Sequence, residues 1–114
     1  MIRNFNRVEL LGNVGRVPEL RQTQNGTPVT DFSLATTKKW KTKEGEEKTE
    51  TQWHKIVCWG RLAESVCKVV GKGDLVFVFG EISYREYEKD GDKRTITEIE
   101  GTQVLRMEKK DSDD

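Results

Sequence analysis

From Val8 onward, apolar and polar side chains mostly alternate. Val8, Leu10, Gly12 and Val14 share one parity, interrupted only by Leu11. A period of two is the pattern of a strand with one buried face. A break follows at Gly15 and Pro18, then a turn signal at Asn25-Gly26. The run VTDFSLAT after Pro28 alternates again, with Phe32 and Leu34 on one face, and residues 41–50 (KTKEGEEKTE) read as a polar hairpin tip around Gly45. Residues 53–59 (WHKIVCW) form a third strand, with Trp53, Lys55, Val57 and Trp59 on one face and His54, Ile56 and Cys58 on the other. The period then changes. In residues 62–70 (LAESVCKVV), Leu62, Val66, Val69 and Val70 make one face of a short helix, ended by Gly71 and Gly73. The next strand, DLVFVFGEISYREY, is apolar on both faces at its start: Val76, Val78 and Ile82 on one, Leu75, Phe77 and Phe79 on the other. A turn at Asp90-Gly91 leads to a last strand from Arg94 to about Met107.

Three strands, a helix and two strands predict an all-β fold, the OB-fold: a five-stranded Greek-key barrel with one short helix between strands 3 and 4. At 114 residues this is one domain, residues 1–107, followed by a short, acidic, disordered tail, 108–114. The doubly apolar fourth strand needs a cover on both faces. The chain has little left to supply one, so Phe77 and Phe79 are expected at an oligomer interface.

Composition narrows the function. Hydrophobic residues make up 33% and charged residues 35%, with a mean hydropathy of −0.78. No run approaches the ~18 apolar residues of a spanning helix, and the N-terminus has no signal-peptide pattern, so the expected location is the cytoplasm. Cys58 and Cys67 read as buried free thiols. The single histidine, His54, has no carboxylate or cysteine at ligand spacing, so neither a metal nor a cofactor is expected. No nucleophile–base pair or phosphate loop is visible, and no catalytic residue is assigned.

Net charge is zero, yet it is unevenly spread. The last seven residues carry −2 and the other 107 carry +2. Lysines 38, 39, 41, 43 and 48 surround Trp40, against Glu44, Glu46 and Glu47. Trp40, Trp53, Trp59 and Tyr87 lie at ends or on polar faces of strands. Basic residues accompany them: Lys38, Lys39, Lys41 and Lys43 near Trp40, Lys55 between Trp53 and Trp59, Arg61 just after, and Arg85 on the face of Tyr87. Flat rings that stack bases, beside cations that neutralise phosphates, hold a single nucleic-acid strand. A tryptophan taken alone reads as core, but two on one face with a lysine between them read as a wet surface, because burying an unpaired lysine is costly. His54 faces the other way and reads as a structural or interface residue.

The chain resembles the bacterial-type single-stranded DNA-binding proteins from about Asn6 to Met107. The resemblance rests on NRVELLGNVGRVPELR (6–21), the turn at 25–26, FSLATTKKW (32–40), TQWHKIVCWGRLAE (51–64) and VVGKGDLVFVFGEI (69–82). It implies base stacking by Trp40, Trp53 and Trp59, with Tyr87 where many members carry tryptophan. It implies phosphate contacts by Lys55, Lys72 and Arg85. It also implies a homotetramer, with His54 at a subunit contact, Phe77 and Phe79 at one dimer contact, and the first strand around Asn6 to Leu10, with Asn6 and Val8, at the other. The implied function is non-sequence-specific binding that protects exposed DNA in replication, recombination and repair. An adaptor in primosome assembly and an RNA-binding barrel are the alternatives. The chain departs from the family at its end. It has acid but no Gly/Pro/Gln-rich linker and no terminal apolar tip for recruiting replication and repair proteins. A chain trimmed to its core, a short natural version from a phage, mobile element or organelle, and a different mode of partner recruitment all fit this.

Overall fold

A computed structural model describes residues 3–110. Most of the expected acidic tail, residues 111–114, lies outside the described residues. The elements are β1 (Val8–Val14), β2 (Arg21–Gln22), β3 (Pro28–Lys41), β4 (Glu47–Trp59), α1 (Gly60–Val69), β5 (Leu75–Lys89) and β6 (Asp92–Glu108). β2 is a two-residue stub paired with the start of β3, so five long strands remain, with the helix between the third and fourth of them. They hydrogen-bond in the order β1-β5-β6-β4-β3-β2, and β1 also pairs with β3 at Asn13↔Ala35 and Val14↔Leu34. That pairing closes the barrel. One junction is parallel, β4 with β6 at Ile56↔Ile99 and Val57↔Glu100; the other strand pairs are antiparallel.

The inward parity of each strand builds the core. Phe32, Leu34, Ile56, Cys58, Val76 and Val78 are fully buried, and burying such an aliphatic or aromatic side chain contributes about 1.5–3 kcal/mol. α1 plugs one end of the barrel through Ala63 and Val66, with Val70 buried just after it. The helix begins two residues and ends one residue earlier than the periodicity suggested, and its buried face runs through Ala63, Val66 and Val70 rather than Leu62 and Val69. Val69 consequently turns outward, and its carbonyl accepts a hydrogen bond from Arg106 Nη1 at 2.9 Å. Gly60 takes a φ of +66°, a left-handed conformation that lets β4 turn into the helix without a loop.

Burial pushes the Cys58 thiol up to about 12, with Cys67 and Glu100 adding to the effect. Cys58 is therefore an apolar space-filler at neutral pH. Cys67 is only partly buried.

The strands run further than their apolar segments. β3 and β4 pair without a slip from Val29↔Trp59 to Lys41↔Glu47. The expected ten-residue tip shrinks to a tight turn in which the Thr42 amide donates to the Glu46 carbonyl at 2.9 Å. β5 and β6 likewise pair out to Lys89↔Asp92. Two polar ribbons therefore project from the barrel. At the C-terminal end, β6 continues to Glu108, and the Lys110 amide donates to Asp74 Oδ1 at 3.0 Å. The backbone is thus held past Met107, where the sequence put the start of the tail. That hydrogen bond is the leading reason the Asp74 carboxyl sits below its ordinary range, with the Gly71 amide adding to it against the opposing effect of burial.

Candidate nucleic-acid interface

The outward parity of β3, β4, β5 and β6 forms one continuous surface. Across β3 and β4 it pairs Val29 with Trp59, Asp31 with Val57, Ser33 with Lys55 and Ala35 with Trp53. Beyond β4 come Glu98 and Glu100 of β6, and beyond those Glu81, Ser83, Arg85 and Tyr87 of β5. A cleft of about 720 Å³ lies over this surface, walled by Trp59, Lys55, Arg21, Tyr84 and Arg85 among others.

Trp53 is 62% exposed, so it is not core. The outer edge of its six-membered ring lies against Gly15 and near Ser33, where any β-carbon at position 15 would collide with it. Gly15 thus lets the indole lie down on the barrel rather than stand off it. Trp59, the last residue of β4, is half exposed at the other end of the same row. Lys55 stands between them.

Two acid–base groups control the electrostatics of the cleft. Glu98 Oε2 accepts from Lys55 Nζ at 3.0 Å and from Arg85 Nη2 at 3.0 Å, and Oε1 accepts from Arg85 Nε at 3.3 Å. Asp31 accepts from Arg16 Nη2 at 2.6 Å and from Arg21 Nη2 at 3.0 Å. Both carboxylates keep only 10% of their side-chain surface exposed, while the three arginines keep more than half. The Arg85 hydrogen bonds, with Lys55 behind them, hold the Glu98 carboxyl below its usual range against the effect of burial. Burial pushes Asp31 up, but its two arginines outweigh it and the net shift is downward. Glu98, in turn, pushes Arg85 upward, chiefly through the same hydrogen bonds.

The other expected contacts spread away from this row. Lys38, Lys39, Lys41, Lys43 and Trp40 lie on the β3–β4 ribbon and its turn, all exposed. The register puts Trp40 on the opposite parity from Trp53, with Lys38 Nζ 5.9 Å from its ring centre. Lys38 stands opposite Glu50 and Lys41 opposite Glu47, so the lysine run is partly neutralised across the strands. Tyr87 shares the outward parity of Arg85, out on the β5–β6 ribbon. Arg61 is exposed in the first turn of α1. Lys72 lies in the turn before β5, next to Gly73, whose amide donates to Val14 O at 2.8 Å; this turn thus adjoins the Gly15 shelf under Trp53. His54 lies at the rim, its Nε2 2.8 Å from Thr36 Oγ1.

Sequence reasoning missed Asp31, Glu98, Arg16, Arg21 and the Gly15 shelf. For Asp31 a local signal was available, since it lies between the inward-facing Thr30 and Phe32 on the polar parity of its strand; for Glu98, whose flanking positions Thr95, Thr97, Gly101 and Gln103 are not apolar, there was none.

Phe77 and Phe79 point outward from β5, their rings stacked at 4.6 Å between centroids and 21° between planes. Leu11 and Leu105 flank Phe77 in register, and both are exposed. At the N-terminal end, the Asn6 side chain bonds both the amide and the carbonyl of Ile82, at 3.0 and 2.9 Å. Among the described residues, the edge of β1 from Val8 to Gly12 that faces away from β5 has no neighbouring strand.

Comparison with known proteins agrees with this geometry. The chain is 39% identical over 114 residues to single-stranded DNA-binding protein 1 of Chlorobaculum tepidum, covering 98% of this chain and 70% of that one. It is 38% identical over 109 residues to single-stranded DNA-binding protein 1 of Xylella fastidiosa, covering 94% and 80%. Its fold superposes on the Plasmodium falciparum SSB solved in complex with ssDNA with a TM-score of 0.83, at 29% identity, covering 95% of this chain and 99% of that one. It also superposes on a deletion mutant of the Thermus aquaticus single-stranded DNA binding protein, with a TM-score of 0.81 at 31% identity, covering 95% of this chain and 53% of the other. The family model for single-strand binding proteins matches residues 5–107, and the chain therefore belongs to the single-strand binding protein family.

Proposed function

We propose that this protein binds single-stranded DNA without strong sequence preference and shields exposed strands during replication, recombination and repair. The observation that carries the reading is the row Trp53–Lys55–Trp59. Two exposed indoles and a cation lie in line on one strand face of a closed barrel, beside a cleft. Stacking on such rings is worth about 1–3 kcal/mol per base and tolerates any base. Trp53, Trp59, Lys55 and Arg85 form the centre of the path. Trp40, Tyr87 and the ribbon lysines 38, 39, 41 and 43 extend it at the flanks, with Arg61 and Lys72 at its margins. The role is binding, not catalysis.

The working form is a homo-oligomer, a tetramer in the family pattern. The free edge of β1 at Val8, with Asn6 and His54 near that rim, and the Phe77–Phe79 face are its two contacts. The bacterial relatives support a cytoplasmic location, and among the described residues no helix is long and apolar enough to cross a membrane.

Tryptophan fluorescence during titration with oligo-dT tests the reading. Strong quenching by oligo-dT, little by duplex of equal length, and partial survival at high salt are the expected results. Absence of quenching would mean that the indole row serves protein contacts, and an adaptor role would replace this one. Tighter binding of oligo-U than of oligo-dT would point to an RNA-binding barrel.

A further inference from the structure

The binding cleft carries as many acids as bases. Arg21, Lys55 and Arg85 line it, but so do Asp31, Glu86, Glu98 and Glu100, and Arg16 joins from the loop after β1. All four cations are already bonded, each to one of two carboxylates at the cleft floor. Glu98 takes Lys55 from β4 and Arg85 from β5. Asp31 takes Arg16 and Arg21 from the segment that follows β1. In both cases both carboxylate oxygens are occupied, as a phosphate would occupy the same donors through its two free oxygens. The carboxylates are nearly buried and the arginines largely exposed, so the cations lean outward over their acids, where an incoming phosphate would meet them.

We infer that Asp31 and Glu98 are specificity determinants, which cancel half of the positive charge of Arg16, Arg21, Lys55 and Arg85 so that a polyanion offering phosphates alone gains less there, whereas a strand offering unstacked bases still gains from Trp53 and Trp59. A phosphate entering the cleft meets cations whose charge is already partly cancelled, and must displace a carboxylate or use the guanidinium nitrogens that Asp31 and Glu98 leave free. Exchanging one ion pair for another returns little free energy. Stacking has no such charged internal competitor, because Trp53 stays 62% exposed. Discrimination against the wrong ligand then comes from lowering the common electrostatic attraction, not from adding contacts to the right one. Zero net charge becomes part of the binding chemistry rather than an obstacle to it.

The inference rests on the proposed single-strand binding, and its test separates the two. Wild type, Glu98→Gln and Asp31→Asn would be titrated with oligo-dT, with duplex of equal length and with inorganic polyphosphate, each at several salt concentrations. Glu64→Gln, on the exposed side of α1 and outside the cleft, controls for net charge alone. Removing one negative charge within a few ångströms of the bound phosphates should tighten duplex and polyphosphate binding by about tenfold. Oligo-dT binding should tighten less, so the preference for single strands shrinks. The salt slope for oligo-dT should steepen by about 0.7 for each further phosphate engaged. Glu64→Gln should do neither. Weaker oligo-dT binding by both cleft variants would overturn the inference, because the carboxylates would then be orienting the cations rather than competing for them. So would an unchanged preference, or an equal gain in Glu64→Gln. Failure of wild type to bind oligo-dT at all would sink the proposed function and this inference together. Far-UV circular dichroism confirms folding of each variant, and because the two carboxylates act on separate cation pairs, a variant that fails to fold leaves the other to be judged by the same outcomes.

Discussion

Two aromatic pairs face outward from the same barrel, and they are built differently. On β4, Trp53 and Trp59 stand six residues apart with Lys55 and Val57 between them, next to two acid–base groups. On β5, Phe77 and Phe79 stack on each other, with Leu11 and Leu105 completing an apolar row across three strands. Alternation placed both pairs outside. What interrupts the rings decides their use. Separated rings with charge between them each keep an open face for a flat ligand. Rings stacked together form a continuous apolar patch that suits a second copy of the chain.

This contrast can be broken at either end. The largest effect is expected from Phe77→Arg, which puts a charge in the middle of the apolar row: light scattering should show the assembly falling apart, while a short oligo-dT still quenches tryptophan fluorescence. An unchanged particle mass would show that the β5 row is not a contact. Trp53→Ala and Trp59→Ala should do the reverse. Each should weaken oligo-dT binding by about 1–3 kcal/mol with the particle mass intact and stability within about 0.5 kcal/mol of wild type; a variant that unfolds would place its ring in the core. Trp40→Ala should cost less than either. Its ring sits on the other parity of a projecting ribbon and already has Lys38 beside it, so the loss should be visible only with oligonucleotides long enough to reach the ribbon.

The smallest effect concerns pH. Glu98 is held below its ordinary value of 4.5, first by Arg85, so its contribution to stability is complete above that value and lost as the pH falls through the lower, folded one. Denaturant midpoints of wild type and Glu98→Gln should therefore differ slightly at neutral pH and converge in acid. A gap that stays constant down the acid limb would mean that Glu98 stabilises through packing alone.

The core and the indole row were legible because both rest on local alternation: Ile56 and Cys58 inside, Trp53 and Lys55 outside, within a single heptapeptide. The ribbons were not. Residues 41–50 are polar on both parities, so their composition reads as a loop, although β-branched Thr49, and Thr51 just beyond, sit comfortably in an extended pair. The carboxylate floor was illegible for another reason. Asp31 and Glu98 are far apart in sequence and meet the same cleft only because β4 lies between their strands. The lysine run drew attention through its density, yet the cations at the centre of the cleft are isolated residues on separate elements.

The two projecting ribbons also bear on how the protein behaves at high concentration. A long hydrogen-bonding edge in water is a template for uncontrolled association. Lysine, glutamate and threonine along the β3–β4 ribbon, and Arg94, Lys93 and Glu88 along the other, keep those edges inert through charge repulsion and hydration. The edge of β1, with Val8, Leu10 and Leu11, has much less of it, a single acid, Glu9, already paired with Arg7. Among the described residues the ribbon edges are thus guarded and the edge of β1 is less so, a layout that directs strand-to-strand pairing to a single address and leaves filament growth and precipitation without a second.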